Sequence, residues 1–325
     1  MKKKLISGLL IAGLIMSSVG ASFGTAMASN EYGELNKERT VALQMVETNG
    51  NLEKQQIKKS NDNVYYSNLA DKNSRTKVKK LMKDAGISRG RQQVFWAHVD
   101  QYNKAVPKSM LVSKLTKYNP NKSKYDPYDI QDKWDEKYPD YMGQNCRMTA
   151  ATIFGGNYKV KTKTVRDDLL MFDKRSAADD PWVKENKIKT KWWFKYFTRV
   201  FSMVPTTNSK NPKVHAKIME KDWKKRGITF TKNKTASLIT VVFHDNIDGS
   251  NLSIGHTGVL FKEGKSLWFL EKIAFQEPYQ LTKFQNRAQL NKYLMDKYDV
   301  DENQPTAPPF IMENGHLMDG YKQTN

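Results

Sequence analysis

The spacing of apolar residues changes at Gly227, and this change constrains the fold more than any other feature of the sequence. Before Gly227 apolar positions recur about every 3.6 residues, as in helices, and after it they alternate as in strands. Helices are predicted at residues 78–85, 92–103, 146–154, 163–172, 213–225 and 283–298, and strands at 238–243, 252–262, 266–274 and 310–313. Helices followed by antiparallel strands predict an α+β domain.

The first 28 residues have the pattern of a secretory signal peptide. Lysines at positions 2–4 precede an apolar run of about fifteen residues, and small residues at 26–28 suit a cleavage site. The apolar run is shorter than the roughly twenty residues that a bilayer span requires, so no transmembrane span is predicted. We expect cleavage after Ala28 and a secreted protein whose basic surface favours association with the cell wall.

The rest of the chain divides into a leader and one domain. Residues 29–63 are polar and have no sustained apolar period, so they are predicted to form a flexible leader. Residues 64–325 are expected to form a single α+β domain. Within this domain, residues 117–142 hold three prolines and five tyrosines, and they are predicted to form a long surface loop.

Cysteine and histidine usage limits the chemistry. One cysteine excludes an intramolecular disulfide and an all-thiolate metal site, and the five histidines show no HExxH or other i, i+4 pair. Neither a metal nor another cofactor is predicted. The acidic segment that begins at Asp245 lacks the spacing of an EF-hand, and a polar turn is the better interpretation.

The formal net charge of +20 favours attraction to an anionic partner, although solvated lysine faces are the default interpretation. The sequence has no recognisable nucleic-acid module, and export would direct it away from the genome, so nucleic acid is not predicted. A lysine-rich exported chain without disulfides suits a Gram-positive bacterium, whose wall contains anionic polymer. We expect a monomer that meets either a cell-wall peptide or this polymer.

Cys146 lies at the start of a predicted helix. Gly143 supplies a turn and Asn145 is a good N-cap residue, which places Cys146 in the first helical turn. Unpaired N–H groups and the helix dipole stabilise a thiolate at that place. A small buried hydrophobic residue is the alternative interpretation of the same cysteine.

A histidine and a carboxylate are predicted to share one hairpin. His256 lies near the start of a strand, and Glu263-Gly264 suits a two-residue turn with Gly in its second position. This register places Glu271 directly opposite His256, where Cβ atoms are about 4.5–5.5 Å apart. Thiol, imidazole and carboxylate together provide a nucleophile, a base and an orienting group. His244, at the end of its strand, is the weaker candidate for the base.

The order of these residues resembles the papain-like superfamily, in particular its bacterial cell-wall amidase and endopeptidase branch. Segment 256–261, His-Thr-Gly-Val-Leu-Phe, carries the resemblance together with the Gly-centred turn that follows it. Beside Cys146, the chain has Asn145 and Arg147 where that branch usually has Asp and Ser. Residues 65–298, including segment 271–280, look more closely like an uncharacterised family of exported Gram-positive proteins, a domain of unknown function.

The papain-like resemblance implies a fold and an activity. N-terminal helices that carry Cys146 would pack on a C-terminal antiparallel sheet that carries His256. The implied activity is cleavage of amide bonds, in peptidoglycan peptides by analogy of branch, with Cys146 as nucleophile, His256 as base and Glu271 as the orienting group. The competing hypothesis is a non-catalytic secreted surface protein that binds anionic wall polymer.

Three neighbours of Cys146 are candidates for positioning roles. Gln144 or Asn145 would share the oxyanion hole with the backbone N–H of Cys146, and a simple turn or cap role is an equal alternative. Arg147 would receive a substrate carboxylate, although a solvated helix arginine is the favoured interpretation.

Overall fold

The segments after Gly227 in which apolar residues alternate form neighbouring strands of one large antiparallel sheet. The structure, a computed structural model, describes residues 63–120, 122–161, 170–187, 190–247, 249–301 and 303–323. The predicted signal peptide and all but the last residue of the predicted leader lie outside these residues.

Helices connect the strands of the sheet and pack against it. They are α1 (Lys72–Asp84), α2 (Arg89–Ala105), α3 (Pro127–Lys137), α4 (Cys146–Phe154), α5 (Met171–Asp179), α6 (Pro181–Glu185), α7 (Thr190–Phe201), α8 (Pro212–Lys225) and α9 (Arg287–Tyr298), with a short 3₁₀ turn at Lys108–Met110. Among the described residues, no helix has the length and apolar character that a membrane crossing needs.

The strands are β1 (Tyr65–Ser67), β2 (Thr116–Lys117), β3 (Tyr158–Lys159), β4 (Val204–Pro205), β5 (Thr229–Phe230), β6 (Ala236–Asp245), β7 (Asn251–Glu263), β8 (Ser266–Lys272), β9 (Tyr279–Phe284), β10 (Phe310–Glu313) and β11 (His316–Leu317). The large sheet has the order β11-β10-β6-β7-β8-β9-β1-β2, and β4 pairs with β7. Strands β3 and β5 form a separate two-stranded sheet. This arrangement confirms the α+β class.

Helix α4 occupies the centre of the core. It packs against β7 and also contacts β6, β8, α2 and α7. All of its residues except Thr152 are buried, because its side chains meet neighbours on every side. A helix buried in this way holds its first residue, Cys146, in a fixed place.

The predicted surface loop at residues 117–142 contains a helix, so that prediction is wrong in part. Helix α3 begins after Asp126, whose side chain accepts hydrogen bonds from the backbone N–H groups of Tyr128 and Asp129. Pro127 occupies the first helical position, which it favours. The Asp-Pro pair was therefore the start signal that the loop interpretation missed.

The predicted helix at 283–298 begins too early, because residues 279–284 form strand β9. Strand β9 ends at Phe284, and Asn286 caps α9 by accepting a hydrogen bond from the backbone N–H of Gln289. The predicted helix at 163–172 falls mostly outside the described residues, and α5 begins at its last two positions.

Strands β7 and β8 form the predicted hairpin, but with a different turn. Gly264 and Lys265 form the two-residue turn, and Glu263 pairs with Ser266. Gly264 has a φ of +57°, which suits a glycine in the first turn position. The predicted turn at Glu263-Gly264 is therefore wrong.

The corrected turn shifts the register by two residues. Glu271 pairs with Gly258 rather than with His256. Since side chains alternate with a period of two, a shift of two residues keeps Glu271 on the same face as His256. The two side chains therefore approach each other diagonally across the pair of strands.

Gly258 has no room for a side chain. A Cβ atom there would lie 2.5 Å from the ring of Phe269 and 2.8 Å from the carbonyl oxygen of Leu270. Because the backbone is fixed in the middle of the sheet, we expect Gly258→Ala to lower the free energy of unfolding by about 1–3 kcal/mol. Urea unfolding at constant m-value measures the change.

The matched control is Gly90→Ala in α2, where an added Cβ meets no atom within 4 Å. This variant should keep the stability of the parent or exceed it slightly, because alanine favours helices. Equal stability of the Gly258→Ala variant and the parent would contradict the packing at this position.

Candidate active site

The start of α4 places Cys146 beside strand β7. Asn145 has an extended backbone, and its Oδ1 accepts a hydrogen bond 2.9 Å long from the backbone N–H of Met148. Cys146 is therefore the first helical residue, and its N–H belongs to the first helical turn, whose N–H groups have no partner within the helix. The residue is 6% exposed.

His256 and Glu271 form a buried hydrogen-bonded pair. Nε2 of His256 donates to Oε2 of Glu271 over 2.7 Å, and the two residues are 1% and 0% exposed. The imidazole also stacks on Tyr298, with ring centroids 5.0 Å apart, and meets Phe269 edge-on at 6.4 Å. The ring orientation of His256 is thus fixed from several sides.

The Cys146 thiol and the His256 imidazole lie close enough to shift each other's pKa. Because Nε2 of the imidazole is bound to Glu271, Nδ1 is the ring nitrogen left for the sulfur. The carbonyl oxygen of Gly255 lies 4.0 Å from Sγ of Cys146. The structure thus brings Cys146, His256 and Glu271 together in one chain of contacts.

The electrostatics of this chain favour a charged pair. Burial alone would raise the pKa of the Cys146 thiol, but the hydrogen bond with His256 and the charges of His256 and Arg147 lower it below the usual value. Burial alone would lower the pKa of His256, but its hydrogen bonds with Cys146 and Glu271 raise it. Both shifts favour thiolate and imidazolium over the neutral pair.

Glu271 is held in its charged form by its neighbours. Burial would raise its pKa, but the hydrogen bond from His256 and the charge of Lys297 lower it. The hydroxyl of Tyr293 donates to Oε1 over 2.7 Å, and Nε2 of Gln280 lies 3.4 Å from the same oxygen. Tyr293 and Gln280 are residues that the sequence analysis did not identify.

A polar row on α5 holds the segment that leads into Cys146. We call Asp173 and Ser176 of α5, together with Asp180 at the C-terminal cap of that helix, the α5 row, and all three are fully buried. Asp173 accepts hydrogen bonds from Nε and Nη2 of Arg147, over 3.1 and 2.8 Å, and from Nδ2 of Asn145 over 2.7 Å. One carboxylate therefore fixes the residues on both sides of the cysteine.

The rest of the row fixes the preceding turn. Ser176 donates to the carbonyl oxygen of Gly143, and Asp180 accepts from Nε2 of Gln144 over 2.9 Å. Asp180 also lies 2.7 Å from Nε2 of His98, which packs against Trp182. His98 is itself a buried residue of α2, so the pair lies inside the protein.

These contacts bear on the three candidate positioning residues. The amide nitrogens of Gln144 and Asn145 donate to Asp180 and Asp173, so both amides serve the scaffold of the turn. Arg147 is 3% exposed and binds Asp173 with two nitrogens and the carbonyl oxygen of Ile254 with a third. The interpretation of Arg147 as a solvated residue is wrong, because its guanidinium neutralises the buried carboxylate of Asp173. The same contacts occupy the guanidinium that would have to bind a substrate carboxylate.

A buried lysine lies on the other side of the site. The ammonium of Lys272 donates to the carbonyl oxygens of Ala274, Phe275 and Glu277, and it lies 4.3 Å from the ring centroid of Tyr102. Burial holds the pKa of Lys272 well below its usual value. The bound loop packs beside the cysteine turn, because a Cβ on Gly143 would lie 2.8 Å from the Phe275 oxygen.

The other histidine candidate is engaged elsewhere. Nδ1 of His244 accepts from the backbone N–H of Ala307 over 2.9 Å, and Nε2 lies 2.8 Å from Oγ of Ser250. Burial and the neighbouring His215 lower its pKa to about 4. Within the described ranges, no group of three or more His, Cys, Asp or Glu side chains is arranged to hold a metal ion.

The fold and site define an α+β protein in which a buried thiol at a helix start meets a histidine–glutamate pair on a sheet. The chain belongs to the family described as a domain of unknown function, DUF4300, whose family model matches residues 65–318. Searches of curated proteins and of solved structures found no match.

The ion pair of Arg147 and Asp173 can be tested by a double-mutant cycle. Arg147→Met leaves a carboxylate buried without its cation, and Asp173→Asn leaves a buried guanidinium, so each should be strongly destabilised. We expect the double variant to lose less free energy of unfolding than the two single variants lose together, by about 0.5–3 kcal/mol. Additive losses in urea unfolding would contradict a direct pair.

Proposed function

We propose that the protein is a secreted cysteine hydrolase with a papain-like arrangement, which cleaves amide bonds. The observation that carries the proposal is the chain of contacts from Cys146 through His256 to Glu271. Cys146 is the nucleophile, His256 is the general base and acid, and Glu271 orients and stabilises the imidazolium. The raised pKa of His256 and the lowered pKa of Cys146 support these roles.

In the first half of the reaction, the Cys146 sulfur attacks the carbonyl carbon and the carbonyl electron pair moves to oxygen. The backbone N–H of Cys146, at the start of α4, is a suitable donor to this oxyanion. The tetrahedral intermediate breaks its C–N bond, and the departing amine takes a proton from His256. An acyl-thioester on Cys146 remains.

In the second half, His256 takes a proton from water as the water oxygen attacks the thioester carbon. The C–S bond breaks, the acid product leaves, and the thiolate–imidazolium pair returns. Glu271 keeps its charge throughout, so the imidazolium has a partner in each half. General-base assistance of this kind typically contributes about 10²–10⁴ in rate.

Peptidoglycan peptides are the substrate class that we propose. The support is the resemblance of segment 256–261 to the cell-wall branch of papain-like enzymes and the signal-peptide pattern of residues 1–28. Because Arg147 is bound to Asp173, a substrate carboxylate would need a different partner. The small exposed fraction of Cys146 favours a narrow substrate, such as an extended peptide, over a bulky one.

The second candidate function is that of a non-catalytic surface protein that binds anionic wall polymer. The formal net charge of +20 favours it. Under this hypothesis Cys146 is a buried packing residue, and its replacement would not affect any activity. The two candidates therefore differ in what the thiol does.

The pH dependence of thiol alkylation tests the proposed nucleophile. We expect the rate of Cys146 alkylation by iodoacetamide to rise with a midpoint below the usual thiol pKa. Glu271→Gln removes the charge that stabilises the imidazolium, so the pKa of His256 should fall and that of Cys146 should rise. The midpoint should move upward by about 1–3 pH units.

The matched control is Glu313→Gln, which removes a partly buried carboxylate of β10 that accepts hydrogen bonds from Arg287 and Ser237. Its alkylation midpoint should equal that of the parent. An unchanged midpoint in Glu271→Gln, with the fold intact by circular dichroism, would disprove the orienting role.

Hydrolysis itself is tested with purified peptidoglycan fragments. The parent protein should cleave amide bonds and leave new amino groups on the products. Mass spectrometry would detect these products by the mass of the added water. Cys146→Ala and His256→Ala should abolish this release and retain the fold. Equal product from the parent and from Cys146→Ala would refute the proposed catalysis.

Export is tested separately. The secreted protein should begin at Ser29 when its N-terminus is measured by mass spectrometry, as expected for cleavage after Ala28. A protein retained in the membrane fraction with residues 1–28 attached would contradict the proposed secretion.

A further inference from the structure

A groove lies between α8, β5 and β11, outside the candidate active site. Its volume is about 640 Å³, within the usual range for ligand sites. Lys217, Lys221 and Lys224 line one wall, which we call the α8 lysine row. Trp223 and Phe230 also line the groove, and we call these two rings its aromatic floor.

The α8 lysine row concentrates positive charge. The three lysines recur at i, i+4 and i+7, so they lie on one face of the helix, and all three are exposed. Like charges at this spacing repel each other. Within the described part of the chain, no ion pair joins any of them to an Asp or Glu. An anion in the groove would relieve this repulsion.

The one acidic residue of the groove, Glu220, has other contacts. Its Oε1 accepts a hydrogen bond from the backbone N–H of Leu317 over 3.3 Å and lies 3.4 Å from Nδ1 of His316. Glu220 thus connects α8 to β11. The three lysines outnumber this one carboxylate, so the wall keeps a net positive charge.

The floor and the opposite wall are fixed in shape. The rings of Trp223 and Phe230 have centroids 5.6 Å apart. Gly315 packs directly on them, because an added Cβ would lie 2.9 Å from Phe230 and 3.2 Å from Trp223. The groove therefore combines an apolar floor with one strongly basic wall.

We propose that this groove binds a segment of a phosphodiester polyanion, of the kind found in anionic wall polymers. Lysine ammonium groups bind phosphates as compact point charges, so the α8 lysine row would contact successive phosphates. The ring of Phe230, which is more exposed than that of Trp223, would contact the carbon atoms between them. This site is separate from Cys146, and it does not depend on the proposed catalysis.

The experiment measures binding of poly(glycerol phosphate) to the full chain between 50 and 200 mM salt. Neutralising the row in the triple variant Lys217→Gln/Lys221→Gln/Lys224→Gln should weaken binding more than tenfold at the lower salt concentration. Three lost phosphate contacts should also reduce the slope of log affinity against log salt by about 2.

The matched control is Lys72→Gln/Lys83→Gln/Lys104→Gln, which removes the same charge from exposed lysines of α1 and α2. It should bind nearly as tightly as the parent. Equal loss in both triple variants would overturn the groove, because net charge alone would then explain binding. If the α8 triple variant lost polyglutamate binding by the same factor as poly(glycerol phosphate) binding, the choice of phosphate as the ligand group would be overturned.

Two further arms separate this proposal from the proposed hydrolase. Cys146→Ala should bind the polyanion as the parent does, whatever the outcome of the hydrolysis assay. Thermal unfolding of both lysine variants should match the parent, since exposed lysines contribute little to stability. No measurable binding of poly(glycerol phosphate) to the parent would refute the proposal outright.

Discussion

The burial of Glu271 is the constraint on which the candidate site depends. A carboxylate with no exposure to solvent needs a cation and hydrogen bonds nearby, because the loss of hydration is costly. His256 supplies the cation, and Tyr293 and Gln280 surround the second oxygen. The charge of Glu271 in turn favours the imidazolium, which favours a thiolate at Cys146. The three groups are therefore coupled, and a change at one alters the protonation of the others.

A second buried carboxylate fixes the position of the sulfur. Asp173 binds the residues before and after Cys146, while Ser176 and Asp180 hold the turn that precedes them. The α5 row thus positions Cys146 through backbone and side-chain contacts that never touch the sulfur itself. The rigidity that the proposed hydrolase would need and the charge balance of the interior have the same structural origin here.

Local signals in the sequence predicted part of this arrangement. The N-cap at Asn145 placed Cys146 correctly at a helix start, and the alternation along β7 and β8 put His256 and Glu271 on one face. The turn was wrong by one position, and the register by two residues, because Glu263-Gly264 and Gly264-Lys265 are both compatible with a glycine turn. The hydrogen bond between His256 and Glu271 forms nonetheless, because both registers keep the two side chains on the same face.

Other features depended on contacts between distant segments, which periodicity does not reveal. The α5 row lies about thirty residues from the turn it holds, and its helical start falls next to residues that the structure does not describe. Arg147 looked like a solvated residue because nothing nearby in the sequence indicated Asp173. Strand β9 is short and polar in part, so its place between β8 and β1 follows from pairing alone.

The most direct test of the central claim is the ultraviolet absorbance of the thiolate as a function of pH, taken as the difference between the parent and Cys146→Ala. The chain has one cysteine, so the difference reports that group alone. We expect the thiolate to titrate below about 8.5, the usual value, and to shift upward in His256→Ala. A midpoint at or above the usual value, unchanged by His256→Ala, would contradict the account.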